Sequence, residues 1–245
     1  MPRLSDAQDA YGHLVFDGYE GGEAREIVER DDGYVAVSSG PALYLAEYPD
    51  WSLCEKQAIR LARGRVLDVG CGAGRVALHL QQKGHEAVGI DVSPLAIEVC
   101  KLRGVRHAHV LSVTQVSRRL GVFDTIVMYG NNFGLVGGRK RARWLLRRLH
   151  GMTSPQARII AESRDPYATL DPGHLAYHER NRRRGRMGGQ LRMRVRYRGY
   201  CTPWFDYLLA SPDEMRELLD GTGWSIERII EGAGGQYVAV IERAA

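Results

Sequence analysis

The chain has 245 residues, of which 44% are hydrophobic and 26% charged, with a formal net charge of +5. This composition fits one folded globular domain with insertions and argues against disorder of the whole chain. No apolar run reaches the roughly 20 residues of a bilayer-spanning helix, and Met1 to Gly12 is too polar for a secretory signal, so we expect a cytosolic protein with no membrane partner. The four cysteines form no C-x-x-C pair, which indicates neither a zinc site nor a disulfide framework.

The first fifty residues are rich in glycine and tyrosine. We expect residues 1–50 to form a cap rather than an independent domain, with one short helix over Glu23–Arg30. Ser52 and Glu55 make a capping box, in which each side chain satisfies a free backbone N–H at the start of a helix. This pattern predicts a helix to about Ala62, and residues 51–245 are expected to form the main domain.

From Arg65 onward, short apolar runs alternate with helical stretches, as in a parallel sheet flanked by helices. The predicted strands are Val66–Val69, Glu86–Ile90, His107–Leu111, Phe123–Tyr129 and Arg158–Glu162. The predicted helices cover about Gly74–Lys83, a stretch that begins at Ser93 and Pro94, and Arg139–His150, the last with a buried stripe of Trp144, Leu145 and Leu149. The fold class that follows is α/β.

The regular alternation ends after the fifth strand. Asp165–Gly189 is polar and is expected to be a long surface excursion, and the apolar and arginine residues of Gln190–Cys201 alternate as in a strand. With Trp204–Leu209 this strand would form an inserted antiparallel hairpin, so the insertion spans about 165–210. A helix from Ser211 to near Gly221 and an antiparallel pair, Trp224–Ile230 and Gln236–Ile241, complete a mostly parallel seven-stranded sheet with an antiparallel last strand and helices on both faces.

The strongest chemical signal is the turn that follows the first of these strands. Its glycines have the spacing G-x-G-x-G, and such a turn lets backbone amides approach a ligand at the start of a helix. The dinucleotide fingerprint would need glycine or alanine in place of Arg75, which argues against a nicotinamide or flavin cofactor. Asp68 adds a carboxylate suited to a cationic amino group, and Asp91 ends the second strand, where a carboxylate can accept ribose hydroxyls.

With these residues the chain resembles the class I S-adenosylmethionine-dependent methyltransferases, which have a Rossmann-like fold. The family's first motif matches Val66–Arg75, its second-strand acid matches Asp91, and Phe123–Val127 fits its fourth strand. The resemblance implies S-adenosylmethionine as cofactor and S-adenosylhomocysteine as product. The cofactor-binding residues that it implies are Asp68, Gly70, Cys71, Gly72, Arg75, Asp91, Val92, Leu111, Ser112, Val113, Tyr129 and Gly130. Many members have an acid where this chain has Ser112, so a hydroxyl or a backbone carbonyl would have to contact the adenine.

The expected function is methyl transfer to a small-molecule acceptor, with the methylated atom (oxygen, nitrogen or carbon) left open. Candidates for a general base are Tyr129, Glu162, Asp165 and His178. The candidate acceptor-binding residues are Tyr34, Tyr44, Asn131, Asn132, Arg164, Tyr200 and Trp204. No histidine or cysteine has metal-ligand spacing, so no metal is expected.

Two alternatives remain open at this point. The arginines of 180–186 and of the following strand would suit an RNA-modifying methyltransferase, although a solvated surface explains them as well. A protein that binds S-adenosylmethionine without turnover is the other alternative, because no catalytic residue is compelled. The sequence is compatible with a monomer or a homodimer.

Overall fold

The structure is a computed structural model that describes residues 3–23 and 25–244. The strands, in chain order, are β1 (Ile27–Arg30), β2 (Val35–Val37), β3 (Val66–Val69), β4 (Ala87–Asp91), β5 (His107–Val110), β6 (Phe123–Met128), β7 (Thr153–Arg164), β8 (Gln190–Tyr197), β9 (Tyr200–Cys201), β10 (Phe205–Leu208), β11 (Trp224–Glu231) and β12 (Gln236–Arg243). The α-helices are α1 (Ala10–Tyr19), α2 (Pro41–Leu45), α3 (Leu53–Ile59), α4 (Arg75–Gln82), α5 (Pro94–Leu102), α6 (Arg139–His150), α7 (Pro172–Arg183) and α8 (Pro212–Leu219). Short 3₁₀ turns cover Asp6–Gln8, Tyr48–Asp50, Val113–Gln115, Arg118–Leu120, Asn132–Val136 and Ala233–Gly235.

A seven-stranded mixed sheet confirms the predicted fold class. Its strand order is β11-β12-β7-β6-β3-β4-β5. β4 runs parallel to both β3 and β5, and β6 runs parallel to β7. The terminal strand β12 is antiparallel to β7 and to β11.

The chain divides into two compact units. The first comprises Met1–Trp51, Arg65–Gln115 and Arg192–Phe205, and the second comprises Ser52–Gly64, Val116–Leu191 and Asp206–Ala245. In the first unit, all four residues of β3 and most of β4 are buried, which is the pattern of strands covered on both faces. In the second unit, β7 and β12 pair without interruption, from Gln236 opposite Arg164 to Glu242 opposite Arg158.

Most predicted elements lie within one or two residues of the observed ones, and β3 and α6 have the predicted bounds. β7 is longer than the predicted strand, because Thr153–Ala157 continues it at its start. The buried stripe of α6 consists of Leu145, Leu146 and Leu149, whereas Trp144 is 45% exposed and lies under the guanidinium of Arg148. The prediction that Trp144 is buried was therefore wrong.

The predicted helix over Glu23–Arg30 was also wrong, because Ile27–Arg30 is the strand β1; Ala24 lies outside the described residues. β1 pairs antiparallel with β2 and with β8, and this pairing decides the conformation of the segment. The N-terminal helix is instead α1, whose N-cap is Asp9; its carboxylate accepts the N–H of Gly12 at 3.0 Å.

The excursion after the fifth predicted strand contains a helix that was not predicted, α7. Asp171 caps it by accepting the N–H of His174 at 3.1 Å, and Pro172 occupies its first position. The predicted strand Gln190–Cys201 is interrupted, because the chain turns at Arg198, whose φ is 49°, so that Tyr197 pairs with Tyr200. The predicted hairpin is part of a second, five-stranded sheet in the order β10-β8-β1-β2, with β9 paired to β8.

Candidate cofactor-binding and active site

Asp68 is the buried carboxylate at the start of the glycine turn. It lies on β3 and is 2% exposed. Its Oδ2 accepts a hydrogen bond from the backbone N–H of Ala77, 3.1 Å away, in the first turn of α4. Burial raises the pKa of the Asp68 carboxyl to about 7, and the positive charge of Arg75 opposes part of this rise. A cation placed beside Asp68 would stabilise its ionised form, which suits the ammonium group of an amino-acid ligand.

Three glycines of the turn have left-handed backbones, with φ of 68° at Gly70, 53° at Gly72 and 78° at Gly74. Side chains of the protein fill the space that two of them leave. A Cβ on Gly72 would lie 2.3 Å from the hydroxyl of Tyr11, and one on Gly74 would lie 2.8 Å from Sγ of Cys100. Packing within the first unit therefore requires glycine at both positions, whatever ligand the turn holds.

Cys71 lies between these glycines and faces Cys100. The two sulfur atoms are 3.8 Å apart, and the Cys100 thiol donates to the carbonyl oxygen of Gly72 at 3.0 Å. The contact with Cys100 and burial raise the pKa of the Cys71 thiol well above its ordinary value. Cys71 therefore stays protonated and acts as a small packing residue of the turn.

Asp91 ends β4 and fixes the glycine turn. Its Oδ2 accepts the backbone N–H of Gly72 at 3.0 Å, and its Oδ1 accepts that of Ser93 at 3.0 Å. Burial raises the pKa of the Asp91 carboxyl above its ordinary value. Each carboxylate oxygen can accept a second hydrogen bond, so the arrangement still has capacity for the hydroxyls of a ligand.

Sequence reasoning missed Asp9 and Tyr11, which α1 brings to the turn. Asp9 is 1% exposed, and its Oδ2 accepts the hydroxyl of Ser93 at 2.9 Å and the N–H of Leu95 at 3.2 Å. Asp9 thus joins the start of α1 to the start of α5. Tyr11 lies over Gly72, and burial raises the pKa of its hydroxyl well above the ordinary value. The one available signal was Asp9 as an N-cap, and α1 itself had not been predicted.

The residues predicted to flank the adenine follow β5 in the first unit. Leu111 donates its N–H to the carbonyl oxygen of Asp91 at 2.7 Å, which ties the end of β5 to the end of β4. Ser112 is buried, and its hydroxyl is 2.9 Å from that of Thr114. Val113 is buried at the start of a 3₁₀ turn. A buried hydroxyl therefore lies at the position predicted to contact the adenine.

Arg75 and Val92 complete the predicted cofactor residues of this unit. The guanidinium of Arg75 lies 4.9 Å from the ring centroid of Trp51, whose indole N–H donates to a backbone carbonyl. Trp51 also contacts His79, four residues beyond Arg75 on α4. Val92 accepts the N–H of Leu4 at its carbonyl oxygen, at 3.3 Å. Arg75 thus packs on an aromatic ring, which the sequence did not reveal.

In the second unit, Tyr129 and Glu162 are both held by hydrogen bonds. The hydroxyl of Tyr129 donates to the carbonyl oxygen of Glu55 at 2.8 Å. Glu162 is 3% exposed; its Oε2 accepts the N–H of Gly130 at 2.6 Å and its Oε1 accepts the side-chain amide of Gln236 at 3.0 Å. Glu162 therefore positions the backbone that follows β6.

Asn131 adopts a left-handed backbone, with φ of 60°, directly after Gly130, whose φ is 69°. Its carbonyl oxygen accepts the hydroxyl of Tyr207 at 2.5 Å. Its side-chain Oδ1 is buried and makes no hydrogen bond to any residue that the structure describes. Asn132 begins the 3₁₀ turn that follows. Strain and a buried unpaired oxygen at one residue are typical of functional positions.

The other three candidates of the second unit differ in exposure. Asp165 is partly exposed and accepts the N–H of Tyr167 at 2.9 Å, and Arg164 is exposed and donates to the carbonyl oxygen of Gly234 at 2.7 Å. His178 is 4% exposed on α7, with its ring edge-on to Tyr167 at 5.6 Å between centroids. Each of the three side chains thus has at least one contact within the second unit.

Comparison with known proteins agrees with this geometry. The family model described as a methyltransferase domain matches residues 66–156. A crystal structure of a SAM-dependent methyltransferase from Bacteroides fragilis, in complex with S-adenosyl-L-homocysteine, aligns over 99% of this chain and 98% of that chain, with 28% identity and a TM-score of 0.84. The matched domain and the structural neighbour support a class I S-adenosylmethionine-dependent methyltransferase. The cofactor of this family is S-adenosylmethionine.

Two curated relatives are methyltransferases with different named substrates. A 2-heptyl-1-hydroxyquinolin-4(1H)-one methyltransferase from Mycobacteroides abscessus is 33% identical over 99 residues, which are 38% of this chain and 42% of that protein. A glycine/sarcosine N-methyltransferase from Halorhodospira halochloris is 27% identical over 120 residues, 46% of this chain and 45% of that protein. The match thus covers less than half the length of either relative.

Two of the aromatic residues predicted to bind a methyl acceptor stack on arginines. Arg30 lies over the ring of Tyr34 at 4.6 Å, and Arg194 lies over the ring of Trp204 at 4.7 Å. Tyr200 stacks on His13 with centroids 3.5 Å apart. These three residues thus have neighbours within the first unit that explain their positions by packing alone.

Most arginines of the two basic segments, 180–186 and 192–198, contact acidic or aromatic side chains. Glu29 accepts hydrogen bonds from Arg194 and Arg196, and these contacts lower its pKa. The other such pairs are Arg182 and Arg183 with Glu179, Arg186 with Asp206, and Arg198 with Asp17. The basic segments are therefore partly neutralised. In the residues that the structure describes, no group of three or more His, Cys, Asp or Glu side chains could hold a metal ion, and no helix is long and apolar enough to cross a bilayer.

Proposed function

We propose that this chain transfers a methyl group from S-adenosylmethionine to a small-molecule acceptor. The observation that carries the proposal is the buried carboxyl of Asp68, whose pKa burial raises to about 7, beside a glycine turn whose backbone Asp91 fixes. A desolvated carboxylate next to a helix start is stabilised by a cation, and S-adenosylmethionine has an ammonium group at its amino-acid end. The alignment of nearly the whole chain with a methyltransferase that holds S-adenosyl-L-homocysteine supports the same conclusion.

The residues of the chain would bind and orient the two reactants. Asp68 would pair with the ammonium group, Asp91 would accept ribose hydroxyls, and Ser112 would meet the adenine. The sulfonium of the bound cofactor supplies a methyl group that is already activated for transfer. The protein's contribution is therefore alignment of the acceptor with the methyl–sulfur bond and exclusion of water.

Isothermal titration calorimetry with S-adenosylhomocysteine tests the cofactor proposal. We expect the wild type to bind it and Asp91→Ala to bind it at least about tenfold more weakly, which corresponds to about 1.4 kcal/mol. Asp213→Ala is the matched control, because the Asp213 side chain is 89% exposed on α8 and belongs to the second unit. Absence of binding by the wild type at millimolar ligand, or equal affinities for the two variants, would contradict the proposal.

The acceptor can be sought with the compounds for which the relatives are named. We propose 2-heptyl-1-hydroxyquinolin-4(1H)-one and glycine as first probes, with formation of S-adenosylhomocysteine as the readout. Product formation that depends on either compound would exclude a non-catalytic role. No turnover with any member of a broad panel of small molecules would favour a binding protein without transferase activity.

We retain the four candidates for a general base as proposals of unequal strength. Tyr129 and Glu162 already hold backbone groups, so loss of activity on their substitution would have a structural explanation. Asp165 and His178 are the better tests. A pH–rate profile whose acidic limb disappears in His178→Gln or Asp165→Asn, with unchanged cofactor affinity, would identify the base.

RNA is the weaker candidate acceptor. It would need unpaired positive charge, and the basic segments are partly neutralised by Glu29, Glu179 and Asp206. Retention of the protein on an RNA column at low salt, with release that is steep in salt concentration, would restore this alternative. We propose the cytosol as the compartment, in keeping with four free cysteines.

A further inference from the structure

Glu26 is a buried carboxylate with one oxygen that makes no hydrogen bond. It directly precedes β1 and is 1% exposed. Its Oε1 accepts the hydroxyl of Tyr44 at 2.5 Å. Its Oε2 is also buried and accepts no hydrogen bond from the part of the chain that the structure describes. Buried carboxylate oxygens are nearly always paired in folded proteins, so this one is placed to receive a donor from outside the chain.

A short run of aromatic contacts links Glu26 to the glycine turn. The ring of Tyr44 packs edge-on against that of Tyr11, with centroids 4.8 Å apart. The hydroxyl of Tyr11 lies over Gly72, and its pKa is raised by burial and by the charges of Tyr44 and Asp91. Glu26, Tyr44 and Tyr11, which we call the Glu26 cluster, thus extend from β1 to the cofactor turn within the first unit.

Three other acidic residues of the first unit form ion pairs with arginines, and Glu26 does not. Glu29 pairs with Arg194, Asp32 with Arg30, and Asp17 with Arg198. Across residues 3–23 and 25–244, no lysine, arginine or histidine forms an ion pair with Glu26. A buried carboxylate with one oxygen that accepts no hydrogen bond attracts a positively charged nitrogen, because the two can form an ion pair.

We propose that the Glu26 cluster binds a protonated amine of the methyl acceptor. The ammonium group would donate to Oε2 of Glu26 while Tyr44 continues to occupy Oε1. The proposal rests on the proposed methyltransferase function and deepens it, because it specifies the acceptor as a molecule with a basic nitrogen. Glu26 and Tyr44 are here acceptor-binding residues and take no covalent part in the transfer.

Binding of simple amines to the protein saturated with S-adenosylhomocysteine tests this proposal. Benzylamine and tyramine are the cationic probes, and benzyl alcohol and 4-ethylphenol are their neutral counterparts, with saturation-transfer NMR titration as the measurement. We expect both amines to bind the wild type about tenfold or more tightly than the neutral compounds, and Glu26→Gln to remove that preference. Tyr44→Phe keeps the ring but loses the hydroxyl, and it should weaken amine binding by a smaller factor.

Glu20→Gln is the matched control, because Glu20 is an exposed glutamate at the end of α1 and its substitution changes the net charge equally. It should bind amines as the wild type does. Equal binding of amines and neutral compounds to the wild type, no amine binding at all, or an unchanged amine preference in Glu26→Gln would each overturn the proposal. Affinity for S-adenosylhomocysteine, measured on each variant, separates the two levels: its absence in the wild type contradicts the methyltransferase function, whereas its retention without amine binding contradicts the amine site alone.

Discussion

The raised pKa of Asp68 gives a prediction about the pH dependence of cofactor binding. If the ligand's ammonium group pairs with ionised Asp68, the protein must deprotonate this carboxyl before or during binding. With a pKa of about 7 in the free protein, roughly one molecule in eleven is ionised at pH 6, so the affinity for S-adenosylhomocysteine should be about tenfold lower there than at pH 8. That difference corresponds to about 1.4 kcal/mol.

Calorimetry in buffers with different ionisation enthalpies measures the protons released directly. At pH 6 the wild type should release close to one proton more per ligand bound than Asp68→Asn does. The difference between the two proteins isolates Asp68, because Asp91 is present in both and its pKa is also raised. The same proton release in Asp68→Asn as in the wild type would refute the assignment of the ammonium group to Asp68.

The stability of the unliganded protein provides a second readout of the same carboxyl. The pKa of this carboxyl in the folded state, about 7, lies above its ordinary value of 3.8, so the folded chain holds the proton more tightly than the unfolded chain does. Its contribution to the free energy of unfolding is therefore fully present below pH 4 and is lost as the pH rises to 7. Three pKa units correspond to at most roughly 4 kcal/mol. Asp68→Asn should therefore gain stability relative to the wild type as the pH rises from 4 to 7 in urea unfolding, and no relative gain would contradict the burial argument.

Three further predictions concern packing, positioning and thiol access. Gly72→Ala should lose more than about 1–2 kcal/mol of stability in thermal unfolding, because it adds a clash with the hydroxyl of Tyr11 to the strain of a left-handed backbone. Gly84→Ala is the control: Gly84 has a φ of 89° and open space around it, so this variant should show the backbone strain alone. Glu162→Gln should destabilise the chain by about 2 kcal/mol in urea, since the buried carboxylate accepts two hydrogen bonds, and an unchanged midpoint would contradict its positioning role. In the native protein one thiol, that of Cys201, should react rapidly with an aromatic disulfide reagent, because the other three cysteines are buried, and Cys201→Ser should remove the fast phase.

The part of the fold that could be predicted from sequence is the part with local signals. β3, β4, α5 and α6 were predicted because buried apolar runs, glycine and an N-cap marked their bounds. β1 was not, because one of its two partner strands, β8, comes more than 150 residues later in the chain. A window of neighbouring residues contains no trace of such a partner.

The candidate site divides in the same way. Asp68 and Asp91 were identified because each lies at or near the carboxyl end of a recognisable strand. Asp9, Tyr11 and Glu26 were missed because they come from the N-terminal segment and reach their partners through tertiary structure. The spacing of the glycines predicted that a ligand approaches the turn closely. At Gly72 the structure shows a different reason for glycine, because the hydroxyl of Tyr11 lies where a side chain would be.

Three aspartates of the first unit, Asp9, Asp68 and Asp91, differ in the number of hydrogen bonds that they accept. Asp9 and Asp91 each accept two or more hydrogen bonds from the folded chain. Among the described residues, Asp68 accepts a hydrogen bond from Ala77 alone, and burial raises its pKa to about 7. A cation that binds beside Asp68 would therefore offset the part of the desolvation cost that Arg75 and the N–H of Ala77 leave. We therefore expect Asp68 to favour a ligand with an ammonium group, while Asp91 holds the backbone of Gly72 in the turn and Asp9 joins the starts of α1 and α5.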